Sequence, residues 1–270
     1  MIFIILTSIL VFVSGMCIGS FLNCVIYRLA LPNFSFWKNL GGLSRSFCPH
    51  CKHVLSWRDL FPVFSFLFLK GKCRYCRKKI SWQYPLVEAL TALVFLLIFN
   101  LQISNLKIIN LAFAFYVACV LIIIFVYDLK HYIIPDKVLF PAIIIAAGVR
   151  ILDFGLGILD FNNLLSYFFA VIAAAGFFLI IFLISRGRWM GFGDVKLAVL
   201  MGLLLGFSNV LAALFLAFFF GAIIGVILMV FKGKKLKSEI PFGPFLILGT
   251  FISMFWAPQI IQWYLNLFQI

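Results

Sequence analysis

Four cysteines stand in two Cys-x-x-Cys knuckles, Cys48-Pro-His-Cys51 and Cys73-Arg-Tyr-Cys76, with 21 residues between them. Thiolates at that spacing can take the corners of a tetrahedron, the geometry that structural zinc prefers. A pair of disulfides, or free thiols, is the other reading of the same residues, and the compartment of the segment decides between them. His50 and His53 could replace a cysteine but read as surface residues of the knuckle. With all four corners filled no position is left for water, so the expected zinc is structural and not catalytic. Cys17, Cys24 and Cys119 lie in apolar runs and read as packing residues.

The chain has only eight acidic residues, so each can be weighed. Asp128, in Tyr127-Asp128-Leu129-Lys130-His131, follows an apolar run. A carboxylate at the C-terminal end of a helix opposes the helix dipole, so Asp128 is not there as a cap. An ordinary loop charge partnered with Lys130 is the alternative. Asp136 follows a proline just ahead of the next apolar run, where an N-cap carboxylate is favourable. Asp194 closes Gly191-Phe192-Gly193-Asp194 and opens the run Val195 to Phe207. Those 13 residues span ~20 Å as a helix, short of a hydrocarbon core of ~30 Å. Asp194 is therefore drawn below the membrane surface, where an ionisable group is a functional candidate. Gly191 and Gly193 let backbone approach closely there and could permit non-helical geometry.

If Asp128 and Asp194 face each other in a compact bundle, they cannot both ionise easily, and one holds a proton while the other is charged. That pair can activate water for amide hydrolysis, the charged member taking a proton and the protonated member polarising the scissile carbonyl. The chain contains neither a Gly-x-Ser-x-Gly elbow nor a His-Glu-x-x-His motif, which leaves aspartyl chemistry.

The elements that must position these residues are membrane spans. Hydrophobic residues make up 65% of the 270 and charged residues 11%, far from the balance of a soluble domain. Apolar runs fall at about 2 to 27, 84 to 101, 108 to 127, 138 to 152, 163 to 184, 195 to 207, 209 to 231 and 240 to 258. The short alternating segments of a β-barrel are absent. Of the 22 basic residues, 20 fall in alternate connections, at 28 to 83, 128 to 137, 185 to 196 and 232 to 237. Lys107 and Arg150 are left on the other side. Positive loops stay cytosolic, which places the N-terminus outside and the cysteines in a reducing compartment, against disulfides. Attraction to anionic lipid accounts for the net charge of +14 without nucleic acid. The first basic residue, Arg28, follows the first run, so that run reads as a retained anchor. Gly202 with Gly206, and Gly221 with Gly225, form small-xxx-small pairs suited to close helix contact.

The expected fold is an all-α polytopic membrane protein of about eight transmembrane helices with a small zinc-knuckle cytosolic insertion. It divides into an anchor at 1 to 27, the cysteine loop at 28 to 83 and a transmembrane peptidase domain at 84 to 270.

The chain resembles the type IV prepilin peptidases, membrane aspartyl proteases of the Gly-x-Gly-Asp class, over nearly its whole length. Gly19-Ser20-Phe21-Leu22-Asn23-Cys24-Val25-Ile26-Tyr27-Arg28-Leu29 is similar to the family's N-terminal signature. Asp59-Leu60-Phe61-Pro62-Val63, the two knuckles and Ser81-Trp82-Gln83-Tyr84-Pro85-Leu86-Val87-Glu88 resemble its cytosolic domain. Asp128 to Asp136, ending Ile134-Pro135-Asp136, is similar to the first catalytic segment and Gly191 to Asp194 to the second. The resemblance implies Asp128 and Asp194 as the catalytic pair, with Gly191, Gly193 and Asp136 in the active-site loops. It also implies removal of short basic leaders from prepilins or pilin-like secretion and competence proteins, at the cytosolic face of a bacterial plasma membrane. Many members with the cysteine domain also methylate the new N-terminus from S-adenosylmethionine. No glycine-rich nucleotide loop lies in 28 to 83, so no residues for that cofactor can be named. One departure is Lys137-Val138-Leu139-Phe140-Pro141, which lacks a threonine often found there in relatives. A transporter or proton channel, or a non-catalytic zinc-loop scaffold, are the competing readings; the first would place more polar residues along several spans than these runs contain.

Overall fold

The computed structural model describes residues 2–31, 45–102, 108–232 and 240–267. Among these residues it is helical with no strand, only two isolated β-bridges. The helices are α1 (Ile2–Leu29), α2 (Phe64–Phe68), α3 (Gln83–Gln102), α4 (Ile108–His131), α5 (Asp136–Gly155), α6 (Phe161–Ser185), α7 (Phe192–Leu205), α8 (Phe207–Lys232) and α9 (Gly243–Leu267). Lys107 and the basic residues from Lys234 to Lys237 lie outside the described residues.

Seven helices, α1, α3, α4, α5, α6, α8 and α9, are long and apolar enough to cross a membrane. The expected sixth span is the exception: α7 has 14 residues and reaches ~21 Å, too short to cross. The last helix runs on past the expected end to Leu267, because Pro258 is carried inside it. A span tolerates an internal proline where neighbouring groups satisfy the freed carbonyl. Ile144, Ile151, Ile180, Ile184, Phe215 and Val230 stand exposed, a surface suited to lipid and costly in water.

The chain forms two compact units, Met1–Ile123 and Ile124–Ile270, with α4 running through the division. In the first, α1 packs against α3 at two glycines one helical turn apart. A Cβ on Gly15 would come within 2.7 Å of the Ala92 Cα, and one on Gly19 within 2.7 Å of the Glu88 Cα. Only glycine permits that approach. Two polar side chains buried in these apolar helices, Asn23 and Glu88, find hydrogen-bond partners. Asn23 donates to the Tyr84 carbonyl at 3.0 Å and accepts from Gln83 Nε2 at 3.1 Å. Glu88 accepts the Val63 N–H at 2.7 Å. These bonds offset the cost of removing the groups from water. Val63 itself sits at φ +61°, an uncommon conformation for a β-branched residue, and Glu88 holds that turn to α3.

In the second unit α7 is flanked by α5 and α6, and α8 pairs with α9. Gly202 of α7 meets the Val171 backbone of α6, where a Cβ would lie 2.7 Å away. The other small-residue expectations fare differently. Gly225 has nothing within 4 Å of its would-be Cβ, and Gly206 serves to end α7 at φ +75°. Phe178, Phe218, Phe242 and Phe245 form an aromatic cluster that seats the start of α9, with Phe218 and Phe242 centroids 5.0 Å apart.

Gly19→Ala should cost about 1–3 kcal/mol, read as a lower midpoint of thermal unfolding in detergent, because backbone must move to admit the methyl group. Gly225→Ala should leave the midpoint unchanged or slightly raised, and equal midpoints for the two variants would contradict the packing described.

Candidate active site and metal centre

The two knuckles are built alike. In the first, the Cys48 N–H bonds to the His53 carbonyl and the Lys52 N–H to the Cys48 carbonyl, each at 2.9 Å. In the second, the Cys73 N–H bonds to the Lys78 carbonyl and the Arg77 N–H to the Cys73 carbonyl, again at 2.9 Å. Lys52 and Arg77, each four residues past the first cysteine, take φ of +58° and +57°. A short bridge closes each knuckle, Phe47 with Val54 and Lys72 with Lys79.

All four sulfurs consequently lie within 4.8 Å of one another, and Cys48 Sγ is 3.9 Å from Cys76 Sγ. A metal with bonds of about 2.3 Å to four sulfurs needs sulfur pairs about 3.8 Å apart, so the donor set fits a tetrahedral ion. Cys48 and Cys73 are buried and Cys51 is exposed. Burial works against ionising the Cys48 thiol, but the backbone N–H groups of Cys51 and His50 outweigh it and bring the thiol down to about 7. Neither His50 nor His53 joins the cluster, and His53 stacks on Tyr75 with centroids 3.7 Å apart. Asp59 braces the loop beside it. Burial opposes its charge, yet Arg74 Nε at 2.7 Å and the Ser56 hydroxyl at 2.9 Å hold its carboxyl below the usual carboxylate range.

The two candidate aspartates both belong to the second unit and both are buried, Asp128 at 4% exposure and Asp194 at 8%. Asp128 lies in the last turn of α4, where its carbonyl accepts the Tyr132 N–H as the helix ends. No ion pair to Asp128 occurs among the described residues, and Lys130 does not meet it. Its partner is instead the N–H of Gly243, the first residue of α9. A Cβ at Gly243 would fall 2.5 Å from Asp128 Oδ2, so a side chain there is excluded by the carboxylate itself. The N-terminal end of α9 supplies the favourable dipole that the C-terminal end of α4 denies.

Asp194 is the third residue of α7 and lies in its positively polarised first turn. Gly191 is the extended N-cap of that helix, and Gly193 is helical. Gly191 is thus non-helical, but in a conformation open to any residue, and neither glycine takes a positive φ. Gly193 serves packing: a Cβ there would lie 3.2 Å from Ile134, and Ile134 also borders Gly243. The two carboxyl groups are thereby brought close enough for the Asp128 charge to act on Asp194.

Asp136 does not cap α5. Pro135 is the N-cap, and Asp136, the first helical residue, pairs with Lys196 of α7 at 2.5 Å. Lys196 also lies over the Phe140 and Phe192 rings. Sequence reasoning missed Gly243 and Lys196 as contributors. The Pro241-Phe242-Gly243-Pro244 string at the head of an apolar run, and a lysine two residues after Asp194, were the available signals.

A profile described as the bacterial peptidase A24 N-terminal domain matches residues 13–101, and one described as the type IV leader peptidase family matches residues 115–226. A prepilin leader peptidase/N-methyltransferase of Legionella pneumophila is 33% identical, the match covering 93% of this chain and 92% of the relative. Proteins of the same name from Aeromonas hydrophila and Bacillus subtilis are 31% and 29% identical, each match covering 96% of this chain. No solved structure matches the chain. With buried carboxylates set at helix ends among membrane-length helices, the chain is a multi-pass membrane peptidase. It belongs to the type IV leader peptidase family.

Purified full-length protein should carry about one equivalent of metal per chain by elemental analysis, and Cys48→Ser or Cys73→Ser should lose it and lower the yield of folded protein. A metal-free preparation that keeps the same thermal midpoint would overturn the assignment of a metal to this cluster.

Proposed function

We propose that the chain is the endopeptidase that removes short basic leaders from type IV prepilins and pilin-like proteins, with Asp128 and Asp194 as its catalytic pair. The observation that carries the reading is the burial of two carboxylates near enough for the Asp128 charge to act on Asp194, with Asp194 in the first turn of α7 and Asp128 bonded to the first N–H of α9. Its relatives are named for prepilin cleavage, and its charge pattern favours a plasma-membrane orientation with the N-terminus outside and the site at the cytosolic face.

In this mechanism the pair shares one proton. The charged carboxylate takes a proton from water as the water oxygen attacks the scissile carbonyl carbon, and the protonated carboxyl gives its proton to the carbonyl oxygen. The resulting gem-diol collapses when one hydroxyl proton returns to the second carboxylate and the first delivers its proton to the departing amine. The products are the leader carboxylate and a new pilin amino terminus, and the pair is restored. Gly191 caps the start of α7, Gly193 seats its first turn against Ile134, and Asp136 with Lys196 ties the starts of α5 and α7 together beside Asp194.

The ion proposed for Cys48, Cys51, Cys73 and Cys76 is zinc, which supplies folding energy to an insertion with little apolar core. The relatives' names also include N-methyltransferase, and the proposal extends to methylation of the new amino terminus, with S-adenosylmethionine as donor, by the cysteine-bearing region 28 to 83, between the anchor and the peptidase domain at 84 to 270.

Asp128→Asn and Asp194→Asn should each lower prepilin cleavage in membranes by about 10³-fold or more, with the protein still inserted. Full activity in either variant would sink the pair. Gly243→Ala, which pushes on the Asp128 carboxylate, should lower kcat about 10- to 100-fold, measured on the same substrate.

A further inference from the structure

Helix α7 is tied to α5 at both of its ends. At the end that bears Asp194, Lys196 pairs with Asp136, the first residue of α5. At the other end Arg150, 14 residues along α5, turns its guanidinium onto the last turn of α7. Its Nε donates to the Leu203 carbonyl at 3.0 Å and its Nη2 to the Leu204 carbonyl at 3.1 Å. Fourteen helical residues span ~21 Å, the length of α7 itself, so the two ties bracket the short helix.

The guanidinium is itself enclosed. It lies over the Tyr167 ring of α6, 4.3 Å from the centroid, and pairs with Asp153 one turn along α5 at 3.6 Å. Just beyond, Gly206 turns the chain at φ +75° and the Phe207 N–H donates to Ser166 Oγ of α6 at 3.1 Å.

The last four carbonyls of a helix have no intrahelical donor. Water normally satisfies them, but a helix too short for the hydrocarbon core ends where water is scarce. Arginine offers several N–H donors in a fixed fork, stays charged, and sits favourably against the negative end of the dipole. Arg150, one of two basic residues left over by the charge count, therefore has a defined task.

We propose that Arg150 is a positioning residue for the cleavage reaction: by capping the C-terminal carbonyls of α7 it fixes that helix along its axis, and with it the depth at which Asp194 meets the scissile bond. The inference rests on the assignment of Asp194 to the catalytic pair.

The test uses full-length protein in nanodiscs, with steady-state kinetics on a prepilin and hydrogen exchange over residues 200–207. Arg150→Leu should lower kcat about 10- to 100-fold with KM unchanged, because the carboxylate and not the substrate site is displaced. Exchange over 200–207 should quicken, and Arg150→Lys, which keeps the charge and a donor, should recover part of both. A wild-type kcat in folded Arg150→Leu, or a loss confined to KM, overturns the proposal whatever the exchange shows. If Arg150→Leu does not fold, Tyr167→Leu, which strips the cover from the guanidinium but leaves its donors, is read by the same kinetics; an unchanged kcat there also overturns it. Activity in Asp194→Asn would instead refute the catalytic pair, while quickened exchange in Arg150→Leu would still report the cap.

Discussion

A 14-residue helix cannot reach both faces of a hydrocarbon core that takes about 20 residues to cross, and the polar side chains around α7 answer to that shortfall. Its first turn holds Asp194, and its last carbonyls receive Arg150. Each would be out of place on a full-length span, where helix ends meet water. On a short one they do what water does elsewhere, at a depth where a carboxylate can be kept partly dry and a peptide bond can be held away from bulk solvent.

The same constraint explains why helix N-termini recur. A lone carboxylate in low dielectric costs several kcal/mol and would simply hold its proton, which would disable a base. Asp194 lies in the first turn of α7, and Asp128 accepts the first N–H of α9. The partial positive charge at each helix start favours ionisation without a lysine or arginine that would fix both groups as permanent anions. This accounts for Lys196 pairing with Asp136 and not with either buried aspartate. On the proposed catalytic role of Asp128, the aromatic cluster of Phe178, Phe218 and Phe242 then matters to chemistry, because it seats the Gly243 turn that meets that carboxylate.

The charge pattern, the apolar runs and the cysteine spacing made the helical membrane class and the four-thiol cluster legible from the residues. Those signals are local or periodic, and neither requires knowing which helices touch. The contacts at the site do require it. Asp136 looked like an N-cap because it precedes an apolar run, but Pro135 takes that place and the carboxylate finds Lys196, 60 residues away. Gly221 and Gly225 showed the small-residue spacing without the tight contact, whereas Gly15 and Gly19 have both. Spacing along one helix says which residues share a face; it does not say what that face meets. Arg150 was visible as a leftover charge, and only the register of α5 against α7 reveals its two carbonyl partners.

The packed helices and the cysteine insertion draw on different sources of stability. Between helices in lipid there is no hydrophobic drive, since acyl chains are as apolar as leucine, so close packing at Gly15, Gly19 and Gly202 and satisfied polar groups must do the work. The cysteine insertion faces the opposite difficulty: among its described residues few apolar side chains are buried beyond Cys48, Phe66 and Cys73, too little to order a loop against its chain entropy. Backbone N–H groups aimed at sulfur and the Asp59 network of Arg74, Ser56 and Tyr75 prepare the loop, and the four clustered thiols are placed so that a metal would complete it. The helices and the insertion are therefore sensitive to different injuries, a methyl group between helices in the one case and the loss of a single thiolate in the other.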